Sequence, residues 1–212
     1  MNQRRPTGVS SAGRWFLVLI LAFAGNCLDA GPVDSAVEDY PVPGHGWLRL
    51  LVPAEWQVQY VYVDDASTPP TFYVTPLEGS DFELTVTVYW HDGLDRNITS
   101  AEALRERVQK AGEEALQAAT DQELKIKAIE GAKQPGFLYD LSDANAQSGQ
   151  FHYLTQGALA VGQLVLAFTL FTDERPSAHR EACLQMLRGA RQVRAFRGVA
   201  EHFSVTVAPV GL

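Results

Sequence analysis

Phe82-Glu83-Leu84-Thr85-Val86-Thr87-Val88-Tyr89-Trp90-His91 is the stretch that decides the fold. Phe82, Leu84, Val86, Val88 and Trp90 fall on one side of an extended chain, and Glu83, Thr85, Thr87, Tyr89 and His91 on the other. A strict period of two marks a strand with one face in a core and the other wet or half covered. After Asp92-Gly93 the period changes. Thr99 and Glu102 have the spacing of a capping box, and Leu104, Val108, Ala111, Ala115 and Ala119 follow at helical intervals, which predicts a helix over Ser100–Ala119. Glu106, Lys110, Glu113 and Gln117 occupy its opposite face, so this helix lies on a surface.

Toward the N-terminus, Trp47 to Val52 is an apolar run ended by Pro53. In the run from Trp56 to Val63, Trp56, Val58, Tyr60 and Tyr62 alternate with Gln57 and Gln59. These predict two strands joined at a tight Pro-Ala-Glu turn. Thr71–Val74 predicts a third strand, and Pro76–Asp81, with Gly79, a turn. Toward the C-terminus, Lys125–Glu130 is a short strand candidate. Phe137, Tyr139 and Leu141 alternate, Gln147-Ser148-Gly149 is turn chemistry, and Phe151, Tyr153 and Thr155 alternate again. Gln163–Thr172 is apolar on both faces, the mark of a central strand covered on both sides. A last helix starting near Pro176 buries Cys183, Met186, Leu187 and Ala190, and Phe203, Val205 and Val207 suit a tail or add-on strand. Hairpin-length links imply antiparallel pairing, so the expected class is α+β: one antiparallel sheet of seven or eight strands with helices packed on it.

The front of the chain is of another kind. Arg4, Arg5 and Arg14 precede the apolar run Trp15–Ala24, too short to span ~30 Å of hydrocarbon, and Ala22-Phe23-Ala24 fits a signal-peptidase site. Residues 1–24 are therefore expected to be a signal peptide, with a second cleavage site after Ala30. Cys27, directly after the apolar core, offers the alternative of a lipoprotein leader, residues 1–26, with Asn26 as the departure from a lipobox. Residues 25–43, with Pro32, Pro41, Pro43 and four acids, read as a linker. Residues 44–193 are the domain and 194–212 the tail. The expected location is periplasmic or secreted, or membrane-anchored if Cys27 is lipidated.

With 46% hydrophobic and 20% charged residues in 212, the chain can build a core, which excludes a disordered protein. Its formal charge is −8, and loss of residues 1–24, with three arginines and no acid, takes it to −11. Nucleic acid is thereby excluded as a partner, and anionic membrane in the absence of lipidation.

The opening Gly46-Trp47-Leu48-Arg49-Leu50-Leu51-Val52-Pro53-Ala54-Glu55-Trp56, an apolar strand, Val-Pro, a small residue and then Trp, resembles the start of DcrB-like and PsbP-like proteins. Phe72-Tyr73-Val74-Thr75-Pro76, the long strand from Phe82, the Ser-capped helix, the Gly136–Asp140 strand and the apolar strand before the last helix occur there in the same order. The resemblance covers about residues 43–193. It implies a Mog/PsbP-type fold and a place among photosystem accessory proteins, a Ran-binding nuclear factor and bacterial envelope proteins, whose common theme is binding and assembly support. It carries no site residue onto this chain, and fold-level analogy is an associational warrant for function.

No chemical signature stands out. Gly44-His45-Gly46 lacks the third glycine and following helix of a dinucleotide loop, and no Gly-x-Ser-x-Gly, HExxH or paired CxxC occurs. No cofactor and no metal site are expected. Of five histidines, His91 with Asp92 at the end of the long strand is the best acid-base or metal candidate; a solvated strand end entering the Gly93 turn is the stronger explanation of the pair. His179 and Cys183, four apart on a helix, have the spacing of a thiol and its base as well as that of ordinary helix neighbours. A buried thiol there is a small hydrophobe. Asp64, Asp65, Glu78 and Asp81 lack calcium-loop spacing. Asn97-Ile98-Thr99 is a glycosylation acceptor whose Thr99 is assigned to the helix cap. The aromatics of the first four strands are mostly core, but Tyr89 lies opposite the Trp90 face, where a half-covered sheet would form a binding surface. The leading expectation is an exported, monomeric, non-catalytic binding or assembly-support protein of the bacterial envelope, its partner an envelope protein or small ligand. The alternative is a small hydrolase or transferase whose site gathers around His91 and Asp92 with Glu83.

Overall fold

A computed structural model describes residues 34–62, 68–91, 97–143, 146–147, 149–175 and 177–194. The leader, both cleavage sites, Cys27, Asp64, Asp65, Asp92, Pro176 and Phe203–Val207 lie outside them. The fold is α+β. The strands are β1 (Ser35–Val42), β2 (Gly46–Pro53), β3 (Trp56–Val61), β4 (Thr71–Pro76), β5 (Phe82–Tyr89), β6 (Lys127–Ala128), β7 (Gly136–Ser142), β8 (Tyr153–Val161), β9 (Leu164–Thr172) and β10 (Arg191–Val193). The helices are α1 (Ala101–Leu116), between β5 and β6, and α2 (Ala178–Gly189), between β9 and β10.

Every strand pair is antiparallel. Among the described residues there are two sheets, however, not one: a seven-stranded sheet in the order β3-β4-β5-β9-β8-β7-β6 and a three-stranded sheet in the order β1-β2-β10. The Pro53-Ala54-Glu55 turn, expected to close a hairpin, carries the chain from one sheet to the other. Ala54 N donates to Asp34 O at the β1 side, and Glu55 O accepts from Leu77 N beyond β4, so the backbone changes partners between adjacent residues. Val52 and Trp56 stay buried on either side of this corner, which is how a strand passes between packed sheets.

Ser35–Val42, expected within a linker, is a strand. Its acids Glu38 and Asp39 hide the pattern. Only Tyr40 and Val42 are buried, while Asp39 forms an ion pair with Arg49 of β2, its Oδ1 accepting from Nε at 2.7 Å. Gly44 and Gly46, at φ of 69° and 88°, make the turn from β1 to β2, a left-handed geometry that glycine adopts without strain. That turn accounts for the Gly-His-Gly sequence.

The period-two reading of β5 holds. Phe82, Leu84, Val86 and Val88 are buried, Trp90 packs partly buried against the same core, Glu83 is exposed, and Thr85 and Thr87 are half-buried. β9 sits in the middle of the seven-stranded sheet. Leu164, Leu166, Phe168 and Leu170 face a core shared with α2 and the small sheet, while Val165 faces a second core under α1. The layers are therefore α1, the large sheet, and then α2 beside the small sheet, with α2 packed against β2, β5 and β9.

Both helices begin at a serine. Ser100 Oγ accepts from Ala103 N at 3.1 Å, so the cap of α1 is one residue later than the Thr99–Glu102 box expected. The helix ends at Leu116 with Ala118 and Ala119 in a tightened last turn. Ser177 caps α2, which starts at Ala178.

Candidate functional site

The large sheet has one face buried over most of its width, short of the exposed edge strand β6, and another buried over only part. α1 packs on β7 and β8, where Leu104 and Val108 meet Tyr139, Leu141, Ala158 and Ala160. The same face of β3, β4 and β5 carries Gln57, Gln59, Tyr73, Thr75, Glu83, Thr85, Thr87 and Tyr89. The register sets Gln59 opposite Tyr73, Tyr73 opposite Thr85, and Thr85 opposite Thr169. Threonine and glutamine give a second helix little apolar area to bury, and neither described helix covers this half of the sheet. Its polar groups are paired across strands: Gln57 Nε2 donates to Thr75 Oγ1 at 3.0 Å, and the Thr71 and Thr87 hydroxyls lie 3.1 Å apart. Tyr73 and Tyr89 stand out from this polar field, 41% and 38% exposed. The Arg107 guanidinium, reaching from α1, sits 6.0 Å from the Tyr89 ring centroid at the border of the covered half.

On the opposite face, a polar knot joins β7 to α2. The Asp140 side chain is only 7% exposed. It accepts from Thr155 Oγ1 at 2.7 Å, Lys127 Nζ at 3.0 Å, and Arg180 Nε and Nη2 at 3.0 and 3.1 Å, with Arg175 Nη2 at 3.8 Å. Burial works to raise its pKa. Donation from Thr155 and Lys127 and the charge and donation of Arg180 outweigh it and hold the carboxyl below its ordinary value. An ionised carboxylate so fully engaged ties strand to helix and has no proton to exchange near neutral pH. Beside it a cleft of about 360 Å³ is lined by both signs of charge, including Asp121, Glu123, Lys125, Lys127 and Arg175. Sequence reading missed this knot. Its one local signal is an acid between Tyr139 and Leu141 in an otherwise apolar strand.

Of the residues of the catalytic alternative, Glu83 and His91 are described. Glu83 is exposed near the start of β5, and His91 lies two residues past the end of that strand at Tyr89. Asp92 lies outside the described residues. The His91 Nε2 is buried without a hydrogen-bond partner among the described residues. The His179 ring stacks on Phe82, centroids 5.4 Å apart, and Cys183 is a fully buried free thiol whose pKa burial pushes far up. A thiol that resists ionisation is a poor nucleophile. Glu78 and Asp81 are exposed residues of the β4–β5 turn, and among the described residues no group of three His, Cys, Asp or Glu side chains is placed to hold a metal ion.

No protein-family profile matches the chain, and no curated protein matches it. Among solved structures it is similar to the solution structure of cyanobacterial PsbP (CyanoP) from Synechocystis sp. PCC 6803. The TM-score is 0.47 at 17% sequence identity, over 80% of this chain and 99% of that one.

Proposed function

We propose that this is an exported, non-catalytic binding or assembly-support protein of the bacterial envelope, which meets a partner protein through the uncovered face of β3, β4 and β5. The observation that carries the reading is the pair Tyr73 and Tyr89, outward on a sheet face that α1 leaves open. Tyrosine gives large contact area at low entropy cost and a hydroxyl that tolerates water when unbound, which makes it a frequent anchor at protein interfaces. An open sheet face presents side chains rather than enclosing them, so it suits a macromolecule better than a small ligand, which needs concavity. Export rests on the arginine-led apolar run and the Ala-x-Ala site of the leader.

The test is co-purification from the envelope fraction with wild type and a Tyr73→Ser/Tyr89→Ser double variant. A partner retained by wild type and lost from a variant that still melts cooperatively supports the reading. Equal retention by both removes this face from the account.

A further inference from the structure

Where the β8–β9 turn approaches the end of α2, the surface falls into a cleft of about 380 Å³ lined by Lys133, Gln134, Gly162, Arg188, Arg191 and Gln192, with apolar residues of β8 behind them. Among the described residues all its charge is positive and no carboxylate lines it, on a chain whose formal charge is −8. Arg188 is fixed as a wall: Nε donates to Leu184 O at 3.1 Å, Nη1 to Glu130 O at 3.0 Å, and Nη2 pairs with the exposed Glu181. Lys133 and Arg191 have no ion-pair partner among the described residues. Arg191 stands opposite Arg49 in the β2–β10 register, and Asp39 is engaged by Arg49, which leaves the second charge without an ion-pair partner among the described residues.

The two glutamines are oriented by chemistry. A backbone N–H can only donate, so Gln134 Oε1 is the acceptor from Gly162 N at 2.6 Å and Gln192 Oε1 the acceptor from Gln163 N at 2.7 Å. The Gln192 amide nitrogen donates onward to His45 O at 2.9 Å. The Gln134 amide nitrogen has no acceptor among the described residues and remains available at the cleft.

We propose that this cleft binds a phosphate-type dianion, with Lys133 and Arg191 supplying charge, Gln134 Nε2 a neutral donor and Arg188 a fixed wall. Two uncompensated cations match a dianion whose tetrahedral oxygens accept from several directions. A single carboxylate would leave one cation unanswered. The proposal concerns a different place from the open face of β3–β5 and does not depend on it.

The experiment titrates the mature protein with sodium phosphate against sodium chloride of equal ionic strength, by calorimetry and amide NMR, and in parallel with vesicles of phosphatidic acid or phosphatidylcholine. Saturable phosphate binding is expected, with shifts at Gly162 and Gln134, weakened about tenfold or more by Lys133→Gln and again by Arg191→Gln. Binding to free phosphate without vesicle binding assigns a soluble ligand. Vesicle binding with the same Lys133 dependence assigns a lipid headgroup. Lys133→Gln lies on an exposed side chain and decides the matter alone if Arg191→Gln disturbs β10. Absence of saturable binding to both probes, or binding that neither substitution changes, overturns the proposal.

Discussion

Arg180, on the first turn of α2, grips Asp140 of β7 through two nitrogens, Nε on Oδ1 at 3.0 Å and Nη2 on Oδ2 at 3.1 Å, beneath a surface that leaves the carboxylate 7% exposed. The contact spans forty residues of chain. It ties the helix beside the small sheet to a strand near the far edge of the large one, so breaking it loosens two layers at once. Asp140→Asn is expected to lower stability by about 3 kcal/mol near neutral pH, the usual scale for stranding one partner of a buried pair.

The sign with pH follows from the direction of the shift. Asp140 is held below the ordinary carboxylate value of 3.8, so its contribution is fully present above the unfolded-state value and is lost as pH falls through the lower folded value. Urea unfolding of wild type and Asp140→Asn from pH 7 to pH 2 should show a constant gap down to about pH 4 and a closing gap below it. A gap that closes between pH 7 and pH 5 would mean that Asp140 is not held ionised by these partners.

Gly157 of β8 lies where a side chain cannot. A Cβ there would collide with Phe137 O and stand 2.6 Å from Phe168 Cζ and 2.9 Å from Leu138 Cβ. The glycine lets the buried Phe168 ring lie across the neighbouring strands. Gly157→Ala is expected to destabilise by about 3 kcal/mol or more through overpacking, readable as a lowered melting temperature.

Cys183 is expected to behave as packing. In the native protein, iodoacetamide should leave the Cys183 peptide unmodified over hours, and in denaturant the same peptide should react fully. Burial both shields the thiol and raises its pKa. Native labelling on the scale of minutes would show that α2 opens far more readily than its contacts with β2, β5 and β9 imply.

Much of the architecture was legible because packing follows period. β5 betrays itself through alternation, β9 through two apolar faces, and the helices through the change to helical spacing after Thr99 and Pro176. What escaped depends on partners distant in sequence. β1 is held by its register with β2, and with Glu38, Asp39 and Pro41 in eight residues it has no pattern of its own. The corner at Ala54-Glu55 looks like any tight turn until Ala54 N is seen to donate to Asp34 O while Glu55 O accepts from Leu77 N. Tyr89 was readable as outward from alternation alone. The companion role of Tyr73 needed the register, and Asp140 needed Arg180 brought from forty residues away.

The leader carries its own expectation. The intact mass of the exported protein should begin at Gly25 or Gly31, or at a lipid-modified Cys27. A full-length chain in the cytoplasm would end the proposal of export.

The most direct test of the central claim is site-specific photocrosslinking in the cells that make the protein. Benzoylphenylalanine is placed at Tyr73, on the open face of the large sheet, and, as control, at Val37, 62% exposed on the small sheet. The account predicts a discrete higher-mass adduct from position 73 that is absent from position 37. No discrete adduct from 73, or the same adducts from both positions, would contradict it.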